Sequence, residues 1–134
     1  MKIIKMNNKA GFTVIELLII IALLGAASVI FFVQKHQVEV AARDDARKTS
    51  INAMYYSLEE VYFKQHSSYP RTISSDVLTS VDPALFTDPN GKKLGDSDSN
   101  FRYEPLNCDG DACKSYVLRS TLEAEADFVK KSRA

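Results

Sequence analysis

The feature that most constrains this chain is an uncharged apolar run near its N-terminus. No charged residue occurs between Leu17 and Val33, and the run extends back to Ala10 if the single carboxylate of Glu16 is allowed. A helix needs about 20 mostly apolar residues to cross the hydrocarbon core of a bilayer. The run is long enough for this, so the sequence predicts one membrane-spanning helix.

Basic residues before the run predict its orientation. Lys2, Lys5 and Lys9 lie on its N-terminal side, and positively charged flanks stay cytoplasmic, so we expect the larger part of the chain to face outward. Glu16 is the unusual residue, because insertion scales assign about 2.5–3.5 kcal/mol to a charge at the centre of a spanning helix. A carboxylate kept at that cost is expected to find a positive partner after assembly with other chains.

The spacing of these features resembles the N-terminus of a type IV prepilin. The basic leader, Gly11, Phe12, Glu16 and the apolar run carry the resemblance. It implies that a prepilin peptidase cleaves between Gly11 and Phe12 and that the new amino group of Phe12 is methylated. It also implies that the Phe12 amine of one subunit pairs with Glu16 of the next, a charge-assisted contact that would set the axial register of a filament.

The function implied by this resemblance is mechanical, and we expect no enzyme activity in the chain itself. The precursor would reside in the cytoplasmic (inner) membrane. An assembly ATPase and a membrane platform protein would then move processed copies into an extracellular, homo-oligomeric pilus that serves adhesion, twitching motility or DNA uptake. A pseudopilin of a type II secretion or competence system is the alternative within the same family.

Two interpretations outside this family also explain an apolar N-terminal segment. A secretory signal peptide is cleaved after its apolar core, and the small residues Ala26-Ala27-Ser28 are followed by further apolar residues up to Val33. An uncleaved signal anchor on a monomeric ectodomain explains the apolar run but neither Gly11 nor Glu16. The prepilin interpretation accounts for all of these residues.

The helical period continues after the apolar run. One apolar stripe with a 3.6-residue period consists of Ile51, Met54, Tyr55, Leu58, Val61 and Tyr62. The polar residues that fall off this stripe are Arg47, Lys48, Asn52, Glu59 and Glu60. We therefore expect one helix from about Phe12 to Gln65, which ends at Ser67-Ser68-Tyr69-Pro70 because the residue before proline is disfavoured in the α region.

One departure from the family pattern concerns the middle of this helix. Many type IV pilins have a proline near the position of Val33, whereas no proline occurs between Met1 and Tyr69 here. Gly25 and Ser28 are then the expected sites of weakness, since glycine costs about 1 kcal/mol relative to alanine in a helix.

The remainder of the chain predicts a small head, so the expected fold is α+β and pilin-like, with a long N-terminal α-helix on an antiparallel sheet. Residues 67–100 contain many turn-forming residues and are expected to form a loop region. A short helical turn is expected at Asp76-Val77-Leu78. Alternating residues predict strands at Phe101-Arg102-Tyr103 and at Ser115–Leu122. A third strand is expected at Lys92-Lys93-Leu94 or at Asp127-Phe128-Val129.

The predicted organisation has three parts. Residues 1–11 form the leader peptide, residues 12–34 form the transmembrane and filament-core helix, and residues 35–134 form the head. Within the head we expect an amphipathic helix over residues 35–66, a loop region over 67–100, and a sheet with a disulfide loop over 101–134.

Two groups in the head are candidates for further chemistry. Cys108 and Cys113 are the only cysteines, and an isolated pair on the outward side is expected to form a disulfide. Asp96, Asp98 and Asn100 alternate like the first ligands of a calcium loop, with Asp88 before them. The glycine and bidentate glutamate of that loop do not follow, so a solvated acidic loop without cofactor is the favoured interpretation.

DNA is the remaining partner to consider. The basic clusters outside the leader are Lys92-Lys93 and Lys130-Lys131-Arg133. Non-specific DNA binding depends on several cations that neutralise phosphates along a path. A single subunit offers little of this, so DNA binding is only weakly supported.

Overall fold

The computed structural model describes residues 11–134, and the lysines of the expected leader lie outside these residues. The helical region begins at Val14 and ends at His66. It consists of α1 (Val14–Tyr56), a π-helical segment (Ser57–Tyr62) and the short α2 (Phe63–His66). The chain divides into two compact units, with the boundary after Gln37.

The first unit presents an apolar helical surface. Every residue from Phe12 to Val33 is exposed in the isolated chain, and by length and composition this helix could cross a membrane. The helix continues through Gly25 and Ser28, the two positions expected to weaken it. The Ser28 hydroxyl donates to the Leu24 carbonyl at 2.7 Å, so its polar atom is satisfied inside the helix.

The second unit, Val38–Ala134, contains an antiparallel sheet. Its strands are β1 (Tyr69–Pro70), β2 (Phe101–Asp109), β3 (Ala112–Ser120) and β4 (Phe128–Lys131). β3 is central, because it pairs with β2 along one edge and with β1 and β4 along the other. The second of the two alternatives for the third predicted strand is therefore correct, whereas Lys93 makes only an isolated bridge with Thr87.

The core of the second unit lies between its helix and the sheet. Ile51, Met54 and Leu58 are fully buried, as the apolar stripe predicted. They form one cluster with residues of the loop region and the strands: Tyr69, Ile73, Leu78, Val81, Phe86, Phe101, Cys113, Tyr116 and Leu118. This packing confirms the expected α+β architecture.

Beyond Leu58 the predicted stripe is correct at Tyr62, which packs against the core, and wrong at Val61. Val61 is exposed, while Phe63 packs against the core. The Phe63 N–H donates to the Leu58 carbonyl, an i→i+5 bond of the π-helical kind, and the wider turn changes which residues face inward. Arg47 and Glu59, which the periodicity placed outside the stripe, are also buried, because each has polar partners within the head.

The helical region ends at His66, within one residue of the expected Gln65 and directly before the predicted terminating residues 67–70. Ser67 adopts the left-handed conformation with φ 56° and ends α2, so that Tyr69 and Pro70 are free to form β1. The expected helical turn near Asp76 is a single turn closed by the Leu78 N–H on the Ser74 carbonyl. A 3-10 helix over Pro83–Phe86 was not predicted.

Candidate assembly site

The bond expected to be cleaved lies in irregular backbone directly before α1. Gly11, Phe12 and Thr13 are non-helical, and the Phe12 side chain is exposed. Among residues 11–134, nothing lies within 4 Å of the position that a β-carbon on Gly11 would occupy. Exposed, irregular backbone is what a processing protease requires, so the geometry is compatible with cleavage between Gly11 and Phe12.

Thr13 and Glu16 form a capping box at the start of α1. The Thr13 N–H donates to Glu16 Oε2 at 2.8 Å, and the Thr13 hydroxyl donates to the same oxygen at 3.0 Å. In return the Glu16 N–H donates to Thr13 Oγ1 at 3.3 Å. This reciprocal arrangement satisfies backbone donors that the first helical turn leaves without partners. The signal was present as Thr-x-x-Glu before the apolar run, but the sequence reasoning assigned Glu16 only an external partner.

The capping box gives Glu16 stabilisation within its own chain. The carboxylate lies at the positive end of the helix dipole, which favours a negative charge there. The hydrogen bonds from Thr13 also favour the charged form of the carboxylate, so the helix start itself offsets part of the cost of a charge near the membrane. Both bonds from Thr13 reach Oε2, and no residue of the described range 11–134 donates to Oε1.

The head contains a second carboxylate, Glu59, which is only 5% exposed. The hydroxyls of Tyr69 and Tyr116 donate to it at 2.9 Å each, and the Arg133 N–H donates at 3.1 Å. Burial and the bond to Glu59 raise the pKa of Tyr69 to about 12 and also raise the pKa of Tyr116. Both phenols therefore remain donors at neutral pH, and Glu59 joins the helix to β1, β3 and residue 133.

A buried ion pair on the helix binds the segment between β3 and β4, at Glu123 and Ala124. Arg47 Nη1 lies 2.8 Å from Asp44 Oδ1 and 2.7 Å from Glu123 Oε2. Asp44 also accepts the backbone N–H groups of Glu123 and Ala124. Arg43 binds both carboxylate oxygens of Glu123, and hydrogen bonds from Arg43 and Arg47 lower the pKa of Glu123 to about 2.

Cys108 and Cys113 form the expected disulfide near the tip of the β2–β3 hairpin. The two residues between the strands are Gly110 and Asp111. Gly110 has φ 62°, a conformation that glycine adopts without steric cost at the first position of a two-residue hairpin turn. Arg71 Nη1 donates to the Gly110 carbonyl at 2.7 Å, which joins the tip to the loop that follows β1.

The candidate calcium ligands hydrogen-bond to groups of the protein itself. Asp88 is 4% exposed, and its Oδ1 accepts two backbone N–H groups of the following turn while its Oδ2 accepts the Asn100 N–H. Asp96 also accepts a backbone N–H, and Asp98 pairs with Lys92 at 2.9 Å. Within residues 11–134 no group of three or more His, Cys, Asp or Glu residues is arranged to hold a metal. The structure brings Asp88 and Asn100 together through a hydrogen bond from the Asn100 backbone N–H to the Asp88 carboxylate.

The basic residues near the end of the chain contact an aromatic side chain. Lys130 Nζ lies 5.3 Å from the centre of the Tyr55 ring, and the Arg133 guanidinium lies 5.4 Å from it. Arg133 also donates to the Tyr55 hydroxyl and pairs with Glu60. These cations thus have internal partners, while Lys131 is exposed.

Comparison with known proteins supports the interpretation of the N-terminus. Residues 6–32 match the family model described as the prokaryotic N-terminal methylation motif. No match was found among curated proteins or solved structures. The matched range includes Gly11, Phe12 and Glu16, and the motif implies a membrane-anchored precursor that is processed by prepilin peptidase and assembled into a pilus or pseudopilus. With this motif and an α+β head behind a long apolar helix, the chain carries the signature of the type IV pilin and pseudopilin family.

Proposed function

We propose that this chain is a structural subunit of a type IV pilus filament. The precursor is cleaved after Gly11, Phe12 is methylated, and mature copies assemble into a helical fibre for adhesion, twitching motility or DNA uptake. The observation that carries this proposal is the methylation motif on an apolar helix whose first turn holds one carboxylate. Catalysis belongs to the partners, which are the peptidase, the assembly ATPase and the platform protein.

The exposed apolar surface supports assembly. Phe31 and Phe32 are 64% and 67% exposed in the isolated chain, and an apolar surface of this extent requires lipid or another protein to cover it. Lipid covers it in the precursor, and the helices of neighbouring copies cover it in the fibre. Lipid tails are as apolar as leucine, so apolar contact alone does not select the neighbour in the membrane.

A polar contact supplies that selection. Cleavage after Gly11 creates an ammonium group on Phe12, and Glu16 offers a carboxylate at the start of the same apolar helix. Opposite charges attract more strongly where water is excluded, so pairing between neighbouring copies fixes their relative position along the fibre. The head is held together by its disulfide and its buried polar contacts.

N-terminal mass spectrometry of sheared surface fibres tests this proposal. We expect fibres that contain this polypeptide with Phe12 as its first residue. Gly11→Leu serves as the matched variant, because open space around Gly11 lets the fold accept a side chain there. It should accumulate in the membrane at full length and form no fibres. Fibres without this polypeptide, or fibres that retain the leader, would contradict the proposal.

A further inference from the structure

We propose that the open edge of β2 is a binding site for an extended peptide segment of a partner protein. The peptide alternates acidic and apolar side chains and adds to the sheet as a short antiparallel strand. β2 pairs with β3 along one edge, and within residues 11–134 no strand pairs along its other edge. The site lies in the head and does not depend on fibres, so it goes beyond the proposed function.

The backbone of Tyr103 faces this open edge. The Thr121 N–H donates to the Asn100 carbonyl at 3.0 Å, so the carbonyls of Asn100 and of every second residue after it point towards β3. The N–H and the carbonyl of Tyr103 therefore point away from β3. The ladder on the other side agrees, because the Tyr116 carbonyl accepts the Ser132 N–H and so faces away from β2. Tyr103 offers an incoming strand one donor and one acceptor, which is what strand addition requires.

The residues after Tyr103 limit the length of the pairing. Pro105 lies opposite Tyr116 and has no N–H, so on the open edge it offers a carbonyl alone. Asn107 has φ 54°, which interrupts the extended backbone two residues later. An added strand can therefore pair at Tyr103 and at the Pro105 carbonyl but not along the whole of β2. This favours a short peptide over the sheet edge of a second copy.

A cavity of about 520 Å³ adjoins this part of β2. Its lining residues come from the loop after β1, from the loop region before β2 and from β2 itself: 71–73, 94–97 and 101–104. Ile73, Leu94 and Phe101 supply apolar side chains to this lining. Because side chains alternate along a strand, a peptide residue opposite Tyr103 points to the same face of the sheet as Tyr103 and Phe101. An apolar side chain at that peptide position contacts the apolar part of the cavity.

Arg102 favours an acidic residue at the next peptide position. Its side chain is exposed and has no hydrogen bond or ion pair within residues 11–134. It lies opposite Arg119, an unfavourable like-charge pair, and Arg119 already binds Glu104 at 2.8 Å. The other carboxylate of the lining, Asp96, accepts the Lys93 N–H. A peptide carboxylate opposite Arg102 shares its face of the sheet and supplies the opposite charge that it lacks.

Titration of the full-length chain in detergent micelles with a blocked hexapeptide of alternating valine and glutamate tests the proposal. The amide resonance of Tyr103 should shift on addition of the peptide, whereas that of Lys131, in β4, should not. Arg102→Glu should weaken binding about three- to tenfold, because it replaces an exposed ion pair by repulsion. Lys131→Glu is the matched control and should bind as wild type. It makes the same charge change on the same face of the sheet, on the other side of β3.

Backbone methylation of the same peptide separates strand addition from simple charge attraction. In an antiparallel pair the N–H groups of alternate peptide residues face the partner strand. Methyl groups on the nitrogens of one alternate set of residues should abolish binding, and methyl groups on the other set should leave it unchanged. Equal effects of the two methylated peptides would overturn strand addition.

Other results would also overturn the proposal. One is a Tyr103 amide that does not respond to the valine–glutamate peptide, and another is equal binding of a valine–lysine peptide. A Tyr103 shift that follows the concentration of the chain without peptide would show a second copy on this edge and would likewise contradict the proposal. None of these measurements uses fibres, so their failure is distinct from failure of the proposed function.

Discussion

The two units of the chain differ in how their carboxylates are bonded. In the head, Glu59 accepts two tyrosine hydroxyls and a backbone N–H, and Asp44 is bonded by Arg47 and by two backbone N–H groups. Both are buried. In the first unit, Glu16 is exposed and bonds only to Thr13 within the described residues.

This difference separates folding from assembly. The contacts of the head are completed within one copy, so changes there should alter its stability. The first unit exposes its apolar residues and the Glu16 side chain, so changes there should alter incorporation into fibres and leave the head folded.

The largest effect is expected at Glu16. Glu16→Ala removes both the cap and the charge, and we expect at least a tenfold loss from fibres with an unchanged melting temperature of the head, since loss of a charged contact in a dry interface costs about 2–5 kcal/mol. The measurements are the fibre yield per processed subunit and thermal unfolding in micelles.

Glu16→Gln sharpens this result, because glutamine can complete a capping box without a charge. It should assemble as poorly as Glu16→Ala if the charge selects the neighbour. Normal fibres from both variants would remove the basis of the comparison.

The next effect is expected in the head, at Glu59. Glu59→Ala leaves the hydroxyls of Tyr69 and Tyr116 buried without their acceptor, and we expect a loss of about 2–4 kcal/mol in the free energy of unfolding. Chemical denaturation of the full chain in micelles measures it. Glu60→Ala, at the adjacent exposed position, is the matched control and should change stability little. Equal effects of the two substitutions would show that the buried network does not stabilise the head.

A smaller effect is expected from the disulfide. Replacing both Cys108 and Cys113 by serine opens a short loop, and the chain-entropy estimate for its closure is about 2 kcal/mol. Thermal unfolding of the variant, compared with wild type under oxidising conditions, measures the loss. Processing to Phe12 should be unaffected because the change lies in the other unit. A variant that unfolds at the wild-type temperature would show that the Arg71 contact and the strand pairing suffice to hold the hairpin tip.

The smallest effect is a dependence on pH through Glu123. Hydrogen bonds from Arg43 and Arg47 lower the pKa of this carboxyl to about 2 in the folded chain, from an ordinary value of 4.5. The unfolded chain therefore binds more protons between these values, so the contribution is present above about pH 4.5 and is lost as pH falls towards 2. Melting temperatures of wild type and Glu123→Gln should converge over this interval. A constant difference down to pH 2 would contradict the assignment.

The sequence predicted those parts of the fold that depend on local patterns. The apolar run, the Ile51–Leu58 stripe and the hairpin strands follow from periodicity, and Cys108 and Cys113 were an evident pair. The helix cap could also have been predicted, because Thr13 and Glu16 are three residues apart in the sequence. The π-helical segment could not have been predicted, because the apolar period of the sequence continues through Val61.

The buried charges of the head could not be predicted for a different reason. Their partners are distant in sequence: Glu59 and Tyr116 are 57 residues apart, and Asp44 and Glu123 are 79 apart. A charged residue off an apolar stripe is normally solvated, and nothing local distinguishes Arg47 or Glu59 from a solvated side chain. Burial was decided by the tertiary packing.

The most direct test of the account is a high-resolution electron cryomicroscopy structure of fibres that contain this chain. The account predicts that the Phe12 nitrogen of one subunit lies within hydrogen-bonding distance of the Glu16 carboxylate of its neighbour. A fibre in which Glu16 contacts no neighbouring amine, or in which Phe12 is still joined to Gly11, would contradict it.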